Sequence, residues 1–432
     1  MAQESGNHND PSRRPAGTRY GERLIVRSAP VPDPGDGFLD QVPEPTVVAW
    51  VRQAAGLAGW GEAARVTLPA GADRFTAGEK WIREIADSAD VSDSVRRQGS
   101  GLVAFGAFTF DDASEGSVLV VPRAVLGRDG TGNAWLTTIT PEGEPAWTPG
   151  PFEPPVPPGD IRWHDGSLSP VEWMQAVGEG VRRITHSADL RKVVLARDLY
   201  ASADRPIDAR VLLCWLAARY PGCFTFACDG MVGATPELLI RKDGWEVSSL
   251  VLAGTQPRGA TPAEDSALAR ALVSSAKENE EHEYAAASLR ESLSPLCSAM
   301  YVVPRPELIR LANVQHLGTR VRGTLAASRS ALSLVAAVHP TAAVGGTPTD
   351  AAVEVIRELE SMDRERYAGP VGWMDADGNG EWGIALRSAQ LDGDRARLFA
   401  GAGIVAGSDP VAELAETESK LRPMRTALEQ AD

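Results

Sequence analysis

The chain has few cysteines, no excess of basic residues and no long hydrophobic run. Its four cysteines include no C-x-x-C pair, so a zinc site or a redox motif is not expected. The formal net charge of −15 argues against nucleic acid as a partner, because binding phosphates requires a basic surface. No segment is long and apolar enough to span a membrane, and the polar N-terminus has no secretory signal. We therefore expect a cytoplasmic protein.

The composition is that of a globular protein, with 432 residues of which 43% are hydrophobic and 23% charged. A chain of this length can bury a large core without disulfide bonds. Composition predicts a disordered tail over residues 1–19. Residues 20–159 are rich in strand-like segments and end in a proline-rich connection, and residues 160–432 form the remaining region. The alternation of helical and strand-like segments predicts an α+β fold with much antiparallel sheet.

Two predicted helices each carry a pair of glutamates three residues apart. Glu278 and Glu281 lie in a helix predicted over residues 262–294, and Glu413 and Glu416 lie in the last predicted helix. Residues at this spacing project from one helix face. Two such pairs on facing helices suit Mg²⁺, which takes few protein oxygens and keeps waters. A solvated acidic helix face is the alternative interpretation.

A lysine and a glutamate lie in separate strand-like segments and are candidates for acid–base chemistry. Lys192 begins an apolar strand, and Glu237 follows Pro236 before another apolar run. Burial lowers the pKa of an amine and raises that of a carboxyl group, which would make the first a general base and the second a general acid. A lysine on an exposed strand face and a carboxylate at the surface are the alternatives.

Other polar residues have weaker patterns. Tyr367 and Arg387 could bind a carboxylate, with Arg387 inside a strand predicted over residues 380–391, while His316 could equally be a core histidine. The glycines of the segment 401–403 would allow a close backbone approach to an anion, although such a segment is usually a turn.

Several motifs of the sequence occur in one order, and together they resemble the chorismate-binding enzymes, most closely the isochorismate synthases. The resemblance is dense from residue 169 to the C-terminus and looser before it, where FGAFTF at 105–110 is the best match. The motifs are KVVLAR at 192–197, GATPE at 233–237, LAGT at 252–255, VQHL at 314–317, HPTAAVGGTP at 339–348 and AGAGIV at 400–405, together with the two glutamate helices.

The resemblance implies one large domain in which two extended, mainly antiparallel sheets pack together, with helices outside and the active site in the cleft between them. It implies that Lys192 is the base that activates water for attack at C2 of chorismate, and that Glu237 is the acid that protonates the departing C4 hydroxyl. The implied Mg²⁺ ligands are Glu281 and Glu416, with Glu278 and Glu413 holding metal-bound waters. The implied substrate-binding residues are Gly254, Thr255, His316, Ala343, Tyr367, Arg387 (on the pyruvyl carboxylate), Gly401, Gly403 and Lys420.

Within this family some members use ammonia as the nucleophile and others use water. The resemblance implies that ammonia users lack a lysine at position 192, and a water nucleophile needs such a base. Ala343-Val344 resembles the isochorismate formers, whereas salicylate and anthranilate formers carry a hydroxylated residue at 343. The expected product is isochorismate; a salicylate synthase and a catalytically silent chorismate-binding paralogue remain alternatives. We expect a monomer without an amidotransferase subunit, whose product could feed menaquinone or siderophore synthesis.

Overall fold

The computed structural model describes residues 23–145, 147–148, 150–312 and 314–430, so the predicted disordered tail lies outside the described residues. Two large β-sheets pack face to face, and α-helices cover them. The first strands are β1 (Leu24–Val31), β2 (Val47–Arg52), β3 (Ala55–Trp60), β4 (Ala64–Thr67), β5 (Asp90–Asp93), β6 (Val103–Ala107), β7 (Val118–Val121), β8 (Ala124–Arg128), β9 (Ala134–Pro141) and β10 (Ile161–Asp165).

The remaining strands and the helices follow the proline-rich connection, apart from the first helix. These strands are β11 (Lys192–Ala203), β12 (Phe224–Cys228), β13 (Met231–Thr235), β14 (Leu238–Asp243), β15 (Glu246–Pro257), β16 (Cys297–Val302), β17 (Glu307–Arg310), β18 (Val314–Leu325), β19 (Gly346–Thr347), β20 (Pro370–Asp375), β21 (Gly380–Ile384), β22 (Ser388–Asp392) and β23 (Arg395–Ile404). The helices are α1 (Arg74–Ser88), α2 (Pro170–His186), α3 (Ala209–Arg219), α4 (Pro262–Ser274), α5 (Ala276–Leu293), α6 (Ala331–Val338), α7 (Thr349–Leu359) and α8 (Pro410–Glu429).

The two sheets are almost entirely antiparallel, as predicted. Over the residues that the structure describes, the first has thirteen strands in the order β10-β11-β23-β22-β13-β12-β2-β3-β8-β9-β1-β5, with β19 paired to β11. The second has ten described strands in the order β16-β18-β15-β14-β21-β20-β6-β7-β4, with β17 paired to β18. The pair β1–β5 is parallel. Strands from distant parts of the chain thus become neighbours, which brings separate sequence motifs to one place.

Large aromatic side chains from both sheets fill part of the interior between them. Trp50 and Phe224 of the first sheet stack with ring centroids 4.8 Å apart, and Phe105 and Trp382 of the second sheet are also fully buried. Each such ring removes a large apolar area from water and holds its strand in place. The sheets therefore form a rigid frame around the cleft. None of the described helices is long and apolar enough to cross a membrane.

One predicted helix is two helices in the structure. The stretch 262–294 is interrupted at Ser275, whose extended backbone ends α4. The Ser275 side chain then accepts a hydrogen bond from the backbone N–H of Glu278 and caps α5. The prediction of a single helix was wrong because the helical pattern of apolar residues continues across this cap. As a consequence, Glu278 lies in the first turn of a new helix.

One predicted strand is also interrupted. The stretch 380–391 divides into β21, which belongs to the second sheet, and β22, which belongs to the first. Arg387 lies at the crossing and has a φ of 51°, a left-handed conformation that residues with side chains rarely adopt. By contrast, the segment 401–403 is no turn but part of β23.

Candidate active site

A pocket lies between the two sheets and holds most of the residues that the sequence singles out. It contains about 740 Å³ of space between atoms, a volume that includes its open mouth. Of the fifteen predicted site residues, those that line it are Glu237, Gly254, Thr255, Glu281, His316, Ala343, Tyr367, Arg387, Gly401, Gly403, Glu416 and Lys420. The other three are outside this lining: Lys192 and Glu278 contact the lining residues Glu281 and Thr255, and Glu413 pairs with Lys277.

Lys192 is completely buried at the start of β11. Its Nζ lies 3.1 Å from Oε1 of Glu281, a residue of the pocket wall. The contact lacks hydrogen-bond geometry, and Nζ has no hydrogen-bond partner in the described part of the chain. Leaving a buried amine without a hydrogen bond is costly, so such a group is a candidate for function. Lys192 thus has hydrogen-bonding capacity left for a small molecule.

Gly403 makes this contact possible. It lies on β23 and pairs with Val194 of β11, the strand that also carries Lys192. A Cβ atom at position 403 would lie only 2.2 Å from Oε1 of Glu281 and 3.1 Å from Cε of Lys192. Since real Cβ atoms do not approach so closely, any side chain here would displace the carboxylate. The close approach therefore requires glycine.

Glu237 is buried in the pocket wall between β13 and β14. Burial raises the pKa of its carboxyl group to about 8, in the direction expected from the sequence. The positive charge of Lys192 and a backbone N–H from Leu252 work against this rise without cancelling it. At neutral pH the carboxyl group is therefore mostly protonated and can donate a proton.

The four helix-borne glutamates lie near the N-terminal ends of α5 and α8. Oε2 of Glu278 accepts a hydrogen bond of 3.0 Å from the backbone N–H of Thr255. This N–H follows a β-bulge at Gly254, whose φ of 73° suits glycine. The other pairs are Glu281 with Lys192 (3.1 Å), Glu413 with Lys277 (2.8 Å) and Glu416 with Lys420 (2.6 Å).

These carboxylates affect one another electrostatically. Burial raises the pKa of Glu278, and the nearby negative charge of Glu281 raises it further. Burial also raises the pKa of Glu413, despite its pair with Lys277. For Glu416, burial acts in the same direction, but the Lys420 ammonium outweighs it and lowers the pKa. Negative charge is therefore concentrated at this end of the pocket.

Among the described residues, no three carboxylate, imidazole or thiol groups converge closely enough to hold a metal ion. The carboxylates face lysines and a backbone N–H instead. Their chemistry nevertheless fits Mg²⁺, because they are hard oxygen donors from two helices, close enough that the negative charges of Glu281 and Glu416 raise the pKa of Glu278. The four carboxylates are paired with only three lysines in the described part of the chain, so one negative charge is not balanced there.

The pocket also presents an arginine that forms no ion pair in the described ranges. Arg387 lines the pocket, and no carboxylate in the described ranges forms an ion pair with it. Burial lowers the pKa of its guanidinium, which nonetheless stays charged. Beside it, Tyr367 stacks on Phe399 with ring centroids 5.1 Å apart, and burial raises the pKa of its hydroxyl to about 12. The pair offers a positive charge and a neutral hydroxyl to an anion.

His316 is held in one tautomer by its neighbours. Burial lowers the pKa of its ring to about 3, so the ring is neutral. Its Nδ1 lies 3.2 Å from the carbonyl oxygen of Gly254 and 3.1 Å from Oγ1 of Thr255. Since a carbonyl can only accept, Nδ1 carries the proton and Nε2 is an acceptor without a partner in the described part of the chain. His316 can therefore accept a hydrogen bond from a ligand hydroxyl.

The sequence did not indicate Glu360 and Arg364, which form a buried ion pair at the pocket wall, where Arg364 is one of the lining residues. Glu360 accepts a 2.7 Å hydrogen bond from the backbone N–H of Ala196 in β11. Arg364 donates to the carbonyl oxygens of Val194 and Val344, at 2.7 and 2.8 Å. The pair thus joins the strand of Lys192 to the loop of Ala343. In sequence, opposite charges four residues apart indicate only a surface pair on a helix.

Comparisons with known proteins identify the family of the chain. Residues 156–429 match the family model described as chorismate binding enzyme, and the chain belongs to this family. It is 39% identical over 348 residues to a MenF protein of Mycobacterium tuberculosis, covering 77% of this chain and 88% of that protein. It is 41% identical over 271 residues to the isochorismate synthase DhbC of Bacillus subtilis, covering 60% and 68%. A crystal structure of DhbC from Bacillus anthracis superposes with a TM-score of 0.75 at 30% identity, covering 91% of this chain and 99% of that one.

Proposed function

We propose that this chain is an isochorismate synthase, an isomerase that converts chorismate to isochorismate with Mg²⁺. The observation that carries the proposal is that the site has two buried groups with opposite roles, one suited to act as a base and one as an acid. Lys192 has an amine without a hydrogen bond, and Glu237 is a protonated acid at neutral pH. Relatives named as isochorismate synthases support the same conclusion.

The proposed reaction needs one base and one acid. Lys192 takes a proton from water as the water oxygen attacks C2 of the ring, and Glu237 gives a proton to the C4 hydroxyl as its bond to carbon breaks. The double bonds C1=C2 and C5=C6 become C1=C6 and C4=C5. One water enters and one leaves, so the reaction is balanced and needs no oxidant. Because the nucleophile is water, no amidotransferase subunit is required.

The substrate would be held by groups at both ends of the pocket. Arg387 and Tyr367 would bind the pyruvyl carboxylate, and Nε2 of His316 would accept a hydrogen bond from a hydroxyl group. Glu281 and Glu416 would hold Mg²⁺ directly, with Glu278 and Glu413 on its waters. When bound, Mg²⁺ would neutralise the ring carboxylate and withdraw charge from the diene.

Lys192 can act as a base only in its uncharged form. In the structure its ammonium instead pairs with the carboxylate of Glu281, 3.1 Å away. In the working enzyme, Glu281 would therefore turn from Lys192 toward the metal side of the pocket. Glu281 lies on the pocket wall, where its carboxylate also approaches Gly403 of β23.

The test is to incubate the protein with chorismate and Mg²⁺ and to separate the products by liquid chromatography with mass detection. We expect isochorismate, and no product from Lys192→Ala. Lys80→Ala serves as the matched control, because Lys80 is exposed on α1 and forms only a surface pair with Glu84. Salicylate with pyruvate would support a salicylate synthase instead. Binding of chorismate without turnover would identify a silent paralogue.

A further inference from the structure

The acidic end of the pocket contains an unused cation, Lys277. This residue lies in the first turn of α5, next to Glu278, and the mechanism above gives it no role. Its Nζ lies 2.8 Å from Oε1 of Glu413, which is buried on α8. The ion pair therefore joins the two helices that carry the four glutamates. Lys277 thereby binds a carboxylate that would otherwise be available to a metal ion or to a metal-bound water.

The charges show why Lys277 would compete with a divalent ion. The three ammonium groups of Lys192, Lys277 and Lys420 balance three of the four carboxylates. Before chorismate binds, with Lys192 charged in its pair with Glu281, adding a dication to this set would produce a net positive charge in a partly buried place, which is unfavourable. If one lysine leaves, the set becomes neutral.

Of the three lysines, Lys277 is the one that can leave. Lys192 is completely buried, and Lys420 also donates a hydrogen bond to the carbonyl oxygen of Gly401 at 2.8 Å. The Lys277 side chain is 37% exposed, and Glu413 is its only hydrogen-bond partner in the described part of the chain. A rotation about its flexible stem would place its ammonium in water.

We propose that Lys277 is an internal counter-ion that competes with the metal. It neutralises Glu413 before a metal enters, turns to solvent when Mg²⁺ binds, and so weakens the affinity for the metal. This inference rests on the Mg²⁺ site of the proposed function. It assigns Lys277 a part in setting metal affinity and no contact with the reacting atoms.

The first test is calorimetric titration of the protein with Mg²⁺ in the absence of chorismate. Lys277→Gln removes the charge and keeps most of the length of the side chain. We expect it to bind Mg²⁺ about fivefold more tightly than the wild type, the effect of losing one partly exposed ion pair. Lys80→Gln is the matched control and should leave the affinity unchanged. An unchanged or weaker affinity in Lys277→Gln would overturn the inference.

A second test uses only the wild-type protein and does not depend on how the variant folds. Amine-reactive labelling followed by mass spectrometry reports how accessible each lysine is. Adding Mg²⁺ should increase the labelling of Lys277 and leave that of Lys80 unchanged. Equal or decreased labelling of Lys277 would contradict the proposal.

Failure of the inference and failure of the proposed function give different results. If Mg²⁺ binds and chorismate is converted, but Lys277→Gln has the wild-type affinity, then only the competing role is wrong. If calorimetry finds no Mg²⁺ binding to the wild type, the metal part of the proposed function is wrong as well, and the inference is overturned with it.

Discussion

Replacing Glu237 with glutamine should change how the stability of the protein depends on pH. Burial raises the pKa of this carboxyl group from 4.5 to about 8 in the folded protein. Between these values the folded state keeps its proton while the unfolded state loses it. The folded state thus binds more protons, so the free energy of unfolding falls as pH rises through this window. Glutamine mimics the protonated carboxyl group in shape and cannot ionise.

The size of the effect follows from the two pKa values. Each pH unit between them costs about 1.4 kcal/mol, so Glu237 lowers the free energy of unfolding by roughly 5 kcal/mol between pH 4.5 and pH 8. The difference between Glu237→Gln and the wild type should therefore grow with pH across this window and level off above pH 8. At pH 4.5 the two proteins should be similarly stable.

The measurement is urea-induced unfolding at a series of pH values, after reversibility has been checked. Glu291→Gln is a suitable control because Glu291 is exposed on α5, and its curve should follow that of the wild type. The reasoning would be refuted if Glu237→Gln and wild-type stabilities ran parallel from pH 4.5 to 8. That result would mean that Glu237 ionises normally in the folded protein, and it could not be the general acid at neutral pH.

Three further variants test other parts of the site. Lys192→Ala should lower kcat by 10²-fold or more, the usual contribution of a general base, while circular dichroism remains unchanged; normal turnover would remove Lys192 from the mechanism. Glu281→Gln should raise the Mg²⁺ concentration needed for half-maximal activity, and an unchanged titration would exclude it as a ligand. Glu360→Gln leaves the charge of Arg364 without its partner and should destabilise the protein by about 3 to 5 kcal/mol in urea unfolding; a change below 1 kcal/mol would contradict a buried ion pair.

Much of the fold could be predicted because its elements have clear local signals. The helix from Pro170 to His186 begins with a capping box, in which Ser169 and Glu172 bond each other's backbone N–H groups. The last helix begins at Pro410 after the capping residue Asp409. Such signals involve residues a few positions apart, so they can be read along the chain.

The crossing at Arg387 could not be predicted in this way. No glycine or proline marks residues 385–387, and the apolar pattern continues from β21 toward β22. The interruption arises because β22 pairs with β13 and β23 in the other sheet. Only tertiary pairing decides this, and it is what leaves Arg387 in the pocket.

The partners of the charged residues in the site could not be predicted from the sequence for the same reason. Lys277 and Glu413 are 136 residues apart, and Glu360 reaches Ala196 across 164 residues. A sequence motif identified the glutamates as a group, but it could not show which cation each one meets. Ion pairs between distant segments depend on how sheets and helices pack, and no local pattern reports that packing.

Glu281 connects the two halves of the proposed chemistry. Its carboxylate touches the amine of Lys192, and it reaches this position only because Gly403 has no side chain in the way. The proposed base and the proposed metal ligand are therefore in direct contact, and substitutions at such positions are seldom additive. A change at Glu281 alters the surroundings of Lys192 even where no metal is involved. For this reason the metal role of Glu281 has to be judged from direct Mg²⁺ binding as well as from the rate of turnover.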